Sequence, residues 1–171
     1  MNILFAVILI LFAAFSRLIP HAPNFTPVIS IALFAGAYLK KRYAFAVPVA
    51  ALFLSDLVIG MYGLTSMTFV YGSVILITAL GLALSNKVSA GKVLGLSLAG
   101  AVIFFVITNF GVWLLPGSMY PKTLEGLVQC FVLAIPFFGN SLLSTMIYSA
   151  VLFGVYEGAA RFVSKPKAVH D

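Results

Sequence analysis

The sequence predicts an all-α integral membrane protein, a bundle of six transmembrane helices with both termini in the cytoplasm. Three observations predict it. Hydrophobic residues make up 63% of the 171 and charged residues 8%, against about 25% charge in an ordinary soluble domain, and mean hydropathy is +1.16. The apolar residues gather in six runs separated by short polar or proline-rich breaks. Eight of the ten basic residues then fall on one side: Lys40, Lys41, Arg42, Lys87, Lys92, Arg161, Lys165 and Lys167, leaving Arg17 and Lys122 opposite. Short loops rich in Lys and Arg stay cytoplasmic, so the chain is expected to be N-in and C-in, a single multi-pass domain over residues 1–171.

Run one, Asn2 to about Leu18, has no basic n-region before it and no small-x-small cleavage site before Ser16, so it reads as a retained helix. The segment 19–27 that follows holds Pro20, Pro23 and Pro27. Each proline lacks a backbone donor and biases its predecessor toward extended geometry, so a rigid outer loop is expected. Run two, Pro27 to Leu39, has 13 residues, roughly 20 Å as a helix against a hydrocarbon core of about 30 Å. Either this helix starts below the outer surface or the bilayer thins around it.

Runs three, four and five (Tyr43 to Gly60, Met67 to Leu84, Lys92 to Leu115) each suffice for a span. The last apolar stretch, Leu124 to Ala160, is 37 residues, roughly 55 Å as one helix. Pro136, with Gly139 close behind, is the expected break. The reading is a short outer helix near 124–135, capped by Thr123 and with Glu125 in its first turn, followed by a span from Asn140. Glu157 and Arg161, one helical turn apart, read as an ion pair.

The net charge of +6 is spread over short loops and a tail, which topology and contact with membrane lipid explain without nucleic acid. Cys130 is the only cysteine, so no intrachain disulfide forms. No Walker motif, His-Glu-x-x-His, Gly-x-Ser-x-Gly or metal-spaced cluster occurs, so neither an enzyme nor a cofactor or metal is expected. Small residues four apart, Ala32/Gly36, Gly95/Ala99 and Gly154/Gly158, mark close helix packing and a surface for a partner.

Polar residues at membrane depth are few: Asp56, Asn109 and Asn140. An ionisable group inside a membrane is expensive and by default marks a site or an ion pair. Together with Arg17, His21 and Asn24 of the proline-rich segment, and with Trp113 at the outer boundary, they form an expected outer polar layer for a small solute. The bland alternative pairs Asp56 with Arg17 and uses the asparagines as inter-helix glue.

Three stretches carry a resemblance: Arg17 to Tyr38 (RLIPHAPNFTPVISIALFAGAY), Leu54 to Asp56 (LSD) and Thr108 to Phe138 (TNFGVWLLPGSMYPKTLEGLVQCFVLAIPFF). They resemble a bacterial family of small, largely uncharacterised six-span membrane proteins assigned to transport. That family in turn looks like the substrate-binding S components of energy-coupling-factor vitamin transporters. The resemblance implies an outward cavity for a vitamin- or cofactor-like micronutrient, gated by the loop between helices one and two, here Ile19 to Thr26, and an ATP-driven coupling module as partner. The small-residue docking pattern of helix one is not matched, since Ala6, Ala13 and Ala14 are not four apart. The expected function is capture of a small solute from outside and assistance in its import; the alternative is a non-transporting membrane scaffold or assembly subunit.

Overall fold

A computed structural model describes residues 3–164. Lys165, Lys167 and His170 lie outside the described residues. Six α-helices follow one another: α1 (Ile3–Phe15), extended by a 3-10 turn at Ser16–Leu18; α2 (Val28–Tyr38); α3 (Lys41–Ile59); α4 (Leu64–Gly81), extended by a second such turn at Leu82–Leu84; α5 (Ala90–Leu114); and α6 (Leu124–Ser164). No strand occurs among the described residues. Four helices, α3 to α6, are long and apolar enough to cross a membrane, while α1 and α2 are shorter apolar helices.

The shortest helix is the central one. Every residue from Val28 to Ala37 is buried, and α2 packs against α1, α3, α4, α5 and α6. An 11-residue helix is only about 16 Å long; of the proline-rich segment that leads to it, residues 19–24 are exposed and only Phe25, Thr26 and Pro27 enter the packing. Its contact with α4 is backbone on backbone: a Cβ at Gly81 would stand 2.5 Å from the Leu33 carbonyl oxygen, and one at Gly36 would stand 2.9 Å from Gly81 Cα. Of the small-residue pairs in the sequence, Ala32/Gly36 serves this crossing. Gly95, Gly154 and Gly158 have open space where a side chain would be.

The separate helix expected over 124–135 is corrected: α6 runs unbroken through Pro136 for 41 residues. The reason lies in its neighbour. α5 and α6 pair antiparallel along their length, with Asn109 beside Cys130, Phe105 against Phe131 and Phe138, and Ser97 against Ser149. One proline removes a single backbone bond, whereas ending the helix there would strand several more polar groups in an apolar setting. α3 shows the same tolerance with Pro48 inside it. The expected cap is present, Thr123 Oγ1 accepting from the Gly126 N–H at 3.2 Å. Excess length is taken up at the far end: Ser149 lies 15 residues before the end of α6 and Ser97 only 7 after the start of α5.

The two ends of the bundle differ. One carries the proline-rich segment, the α3–α4 turn and the α5–α6 connection. The other carries Lys40, Lys41, Arg42, Lys87, Lys92 and Arg161. Large apolar side chains such as Phe12 (75% exposed), Val58 (71%) and Leu64 (81%) point outward, far more apolar surface than water tolerates in one molecule.

Candidate functional site

The site is built around one carboxylate. Asp56, in the last turn of α3, is 2% exposed at its side chain, and Arg17, on the 3-10 turn after α1, meets it with Nη2 at 2.8 Å from Oδ1. Tyr71 Oη of α4 donates to Oδ2 at 2.8 Å. Arg17 Nη1 donates to the Leu52 carbonyl at 3.3 Å and to Ser55 Oγ. Three helices are thus tied at one level, and both carboxylate oxygens are satisfied, the condition under which a buried charge is retained. Tyr62, in the α3–α4 turn, faces the same carboxylate; burial first, and then the Asp56 charge, push its phenol up to about 12.

Next to this pair is a cavity of about 190 Å³, walled by Arg17, Asn24, Thr26, Leu52, Tyr62 and Ser141 together with apolar residues of α2, α4 and α5. Arg17 Nε faces no acceptor and is the one buried side-chain nitrogen or oxygen without a hydrogen-bond partner among the described residues. Buried polar groups are rarely left so. The proline-rich segment is held over the cavity from α6: Asn140 Nδ2 donates to the Pro23 carbonyl at 3.0 Å and Ser141 Oγ to the Asn24 carbonyl at 3.4 Å. Asn24 itself adopts a left-handed backbone, φ 62°, a conformation asparagine tolerates better than most residues. It lets the chain turn downward into α2.

The sequence-derived site residues therefore separate into two groups. Arg17 and Asn24 wall the cavity, Asp56 reaches it only through Arg17, and Asn140 supports the proline-rich segment by donating to the Pro23 carbonyl. His21 is exposed, its Nδ1 donating to the Ile19 carbonyl at 2.6 Å. Asn109 turns its amide onto its own helix, donating to the Phe105 carbonyl at 2.8 Å. Trp113 belongs to the α5–α6 connection: its Nε1 donates to the Pro121 carbonyl at 2.9 Å, and Lys122 Nζ sits over its ring and donates to the Leu115 carbonyl. Glu157 does not pair with Arg161. It accepts instead from Tyr38 Oη of α2 at 2.5 Å, because the phenol at the end of the central helix reaches it within the protein while Arg161 is exposed.

Sequence reasoning missed Ser55, Tyr71, Thr26 and Ser141. Hydroxyls are too common in apolar helices to stand out. The usable signal was adjacency, since Ser55 and Ser141 each follow or precede a residue already singled out.

Helices long enough to span, a fully buried short helix and an ion pair closed inside apolar walls are the make-up of a helical membrane protein. More particularly, the chain belongs to a family of unknown function (DUF6580), which matches over residues 1–167. No curated protein and no solved structure matches the chain.

Proposed function

We propose that this protein is a six-span protein of the bacterial cytoplasmic membrane, N-in and C-in, that takes a small solute into the cavity from the outer side and assists its import. The observation that carries this reading is Arg17: the residue lines the cavity, and its Nε is a buried donor with no acceptor among the described residues. A carboxylate or carbonyl oxygen of the solute supplies one once the guanidinium shifts toward the cavity. At about 190 Å³ the cavity is below the roughly 300–1,000 Å³ of sites for drug-sized ligands, which points to a compact solute.

The test is mass spectrometry of small molecules that co-purify with the protein, followed by thermal unfolding with and without the solute found. A binder is stabilised in proportion to the logarithm of one plus the ratio of free ligand to its dissociation constant. Arg17→Lys keeps a cation beside Asp56 and removes Nε; the variant should fold and lose about 1–3 kcal/mol of solute binding. Equal binding by Arg17→Lys and the parent would sink the proposal.

A second reading is favoured by the Asp56 contacts. Because Arg17 and Tyr71 satisfy both carboxylate oxygens, the polar layer also suffices as a clamp for α1, α3 and α4 in a non-transporting scaffold. In that case no solute co-purifies, and Asp56→Asn acts on folding alone.

A further inference from the structure

A second opening lies at the basic end of the bundle. It is a groove of about 480 Å³ between α5 and α6, walled by Val93, Leu94, Ala150 and Phe153, with Ser97 and Ser149 among its lining and Glu157 toward the far end of α6. Between this groove and the Arg17 cavity runs a line of hydroxyls. Ser97 Oγ donates to Ser149 Oγ at 2.9 Å, Ser149 Oγ to Ser30 Oγ at 3.0 Å, and Ser30 Oγ to the Thr145 carbonyl at 2.9 Å. Thr145 Oγ1 and Ser144 Oγ then donate to the Ser141 carbonyl at 2.7 and 3.0 Å. Ser141 is on the wall of the Arg17 cavity, and Ser97 and Ser149 are on the wall of the groove.

Packing glue accounts for single hydroxyls, but not for this alignment. Ten polar residues are buried among the described residues, and six of them, Ser30, Ser97, Ser141, Ser144, Thr145 and Ser149, lie on this one seam, each at most 7% exposed. They carry no formal charge. From Ser141 to Ser149 is eight residues of α6, about 12 Å, so less than half the thickness of a hydrocarbon core of about 30 Å separates the two openings. The other side of α2 is closed differently: at Gly36 and Gly81 its backbone touches that of α4, with no room for a side chain. α2 is thus locked to α4 by backbone and meets α6 through side chains, by the Ser30 hydrogen bonds at the seam and by Phe34 and Tyr38 against Phe153 and Tyr156 nearer the basic end.

We propose that the seam and the groove form the inner half of a solute path, with Ser97 and Ser149 as a release site at the basic end. The proposal rests on the reading of the Arg17 cavity as the outer solute site. The seam suits a compact solute that both donates and accepts hydrogen bonds, one hydroxyl or amide replacing each serine bond as the hairpin parts from α2 and α4. Glu157, held by Tyr38, faces the solute where it leaves.

The test uses the membrane-impermeant thiol reagent sulfonatoethyl methanethiosulfonate on single-cysteine variants in a Cys130→Ala background, in sealed vesicles of both orientations. Only an ionised thiol in water reacts. Ser149→Cys and Ser97→Cys should react from the face bearing the basic loops about tenfold faster than Leu98→Cys, a lipid-facing control on α5. Ser141→Cys should react from the opposite face. Ala150→Cys, on the exposed groove wall, serves where a seam variant fails to fold. Rates at Ser149, Ser97 and Ala150 no higher than at Leu98 would mean that lipid fills the groove, and would overturn the path. That result leaves the outer site standing, since co-purification of a solute tests it separately.

Discussion

Arg17 and Asp56, 39 residues apart in sequence, hold each other at 2.8 Å, and that contact joins the end of α1 to the end of α3. Removing one partner of such a pair leaves the other buried and uncompensated. Asp56→Asn should cost about 3–5 kcal/mol of stability, read as thermal unfolding in detergent. Arg17→Met combined with Asp56→Leu should cost less than Asp56→Asn alone, because apolar residues of similar volume replace the pair without an orphaned charge. A double variant worse than the single would show that the pair itself holds the helices.

The α2–α4 crossing makes a sharper packing prediction. Gly81→Ala places a methyl 2.5 Å from the Leu33 carbonyl oxygen, and no rotamer change relieves a clash with backbone. A loss of about 1–3 kcal/mol is expected. Gly95→Ala, where nothing lies within 4 Å, should be neutral or slightly stabilising, since alanine favours helix over glycine by about 1 kcal/mol. Equal thermal midpoints for the two variants would contradict the close approach.

Tyr62 gives a pH dependence whose sign follows from its raised pKa. The folded protein holds the phenol proton more tightly than the unfolded chain, up to about 12 against an ordinary 10.0. The associated stability is complete below the ordinary value and is lost as pH rises through the folded one. Phenolate absorbance should therefore show a late-titrating component that Tyr62→Phe removes, and stability at high alkaline pH should fall less steeply in that variant.

Continuity of α6 is testable across Pro136. Spin labels at Gln129 and Leu143, 14 residues apart, should stand about 21 Å apart along one helix axis, with a narrow distribution. A broad or much shorter distance would restore the broken helix.

The proposed topology predicts that cysteines at Lys41 and Asn86 label from the cytoplasm, and those at Ser66 and Ser118 from outside. Labelling of position 41 from outside would reverse every side assignment.

Helix existence was readable because each apolar run is bounded by a basic, proline or glycine break, and all six runs became helices. Pro136 misled because a rule learned from helices in water was applied to one buttressed along its length by α5. The Arg17–Asp56 pair was readable from cost: two charges near one level of an apolar bundle must meet. Asn109 was not separable from Asn140 by that logic, since an asparagine at membrane depth satisfies its amide equally well on its own preceding turn or on another segment. Which of these occurs depends on what faces it, and no pattern in one chain shows that. The hydroxyl seam was hidden for the same reason, its members becoming a line only once α2, α5 and α6 are side by side.

The enclosure of α2 bears on how the chain enters a bilayer. A stretch of 11 helical residues falls short of the roughly 20 that partition stably as a lone span, and once the fold is complete its residues from Val28 to Ala37 are buried against the other helices. It must be threaded in together with α1 or admitted after its longer neighbours have gathered, so that helix insertion and helix packing are one event here rather than two successive ones. Truncation before α3, which removes the α4 crossing together with α5 and α6, should then leave Val28–Tyr38 without a packed place, although every one of its own residues is intact.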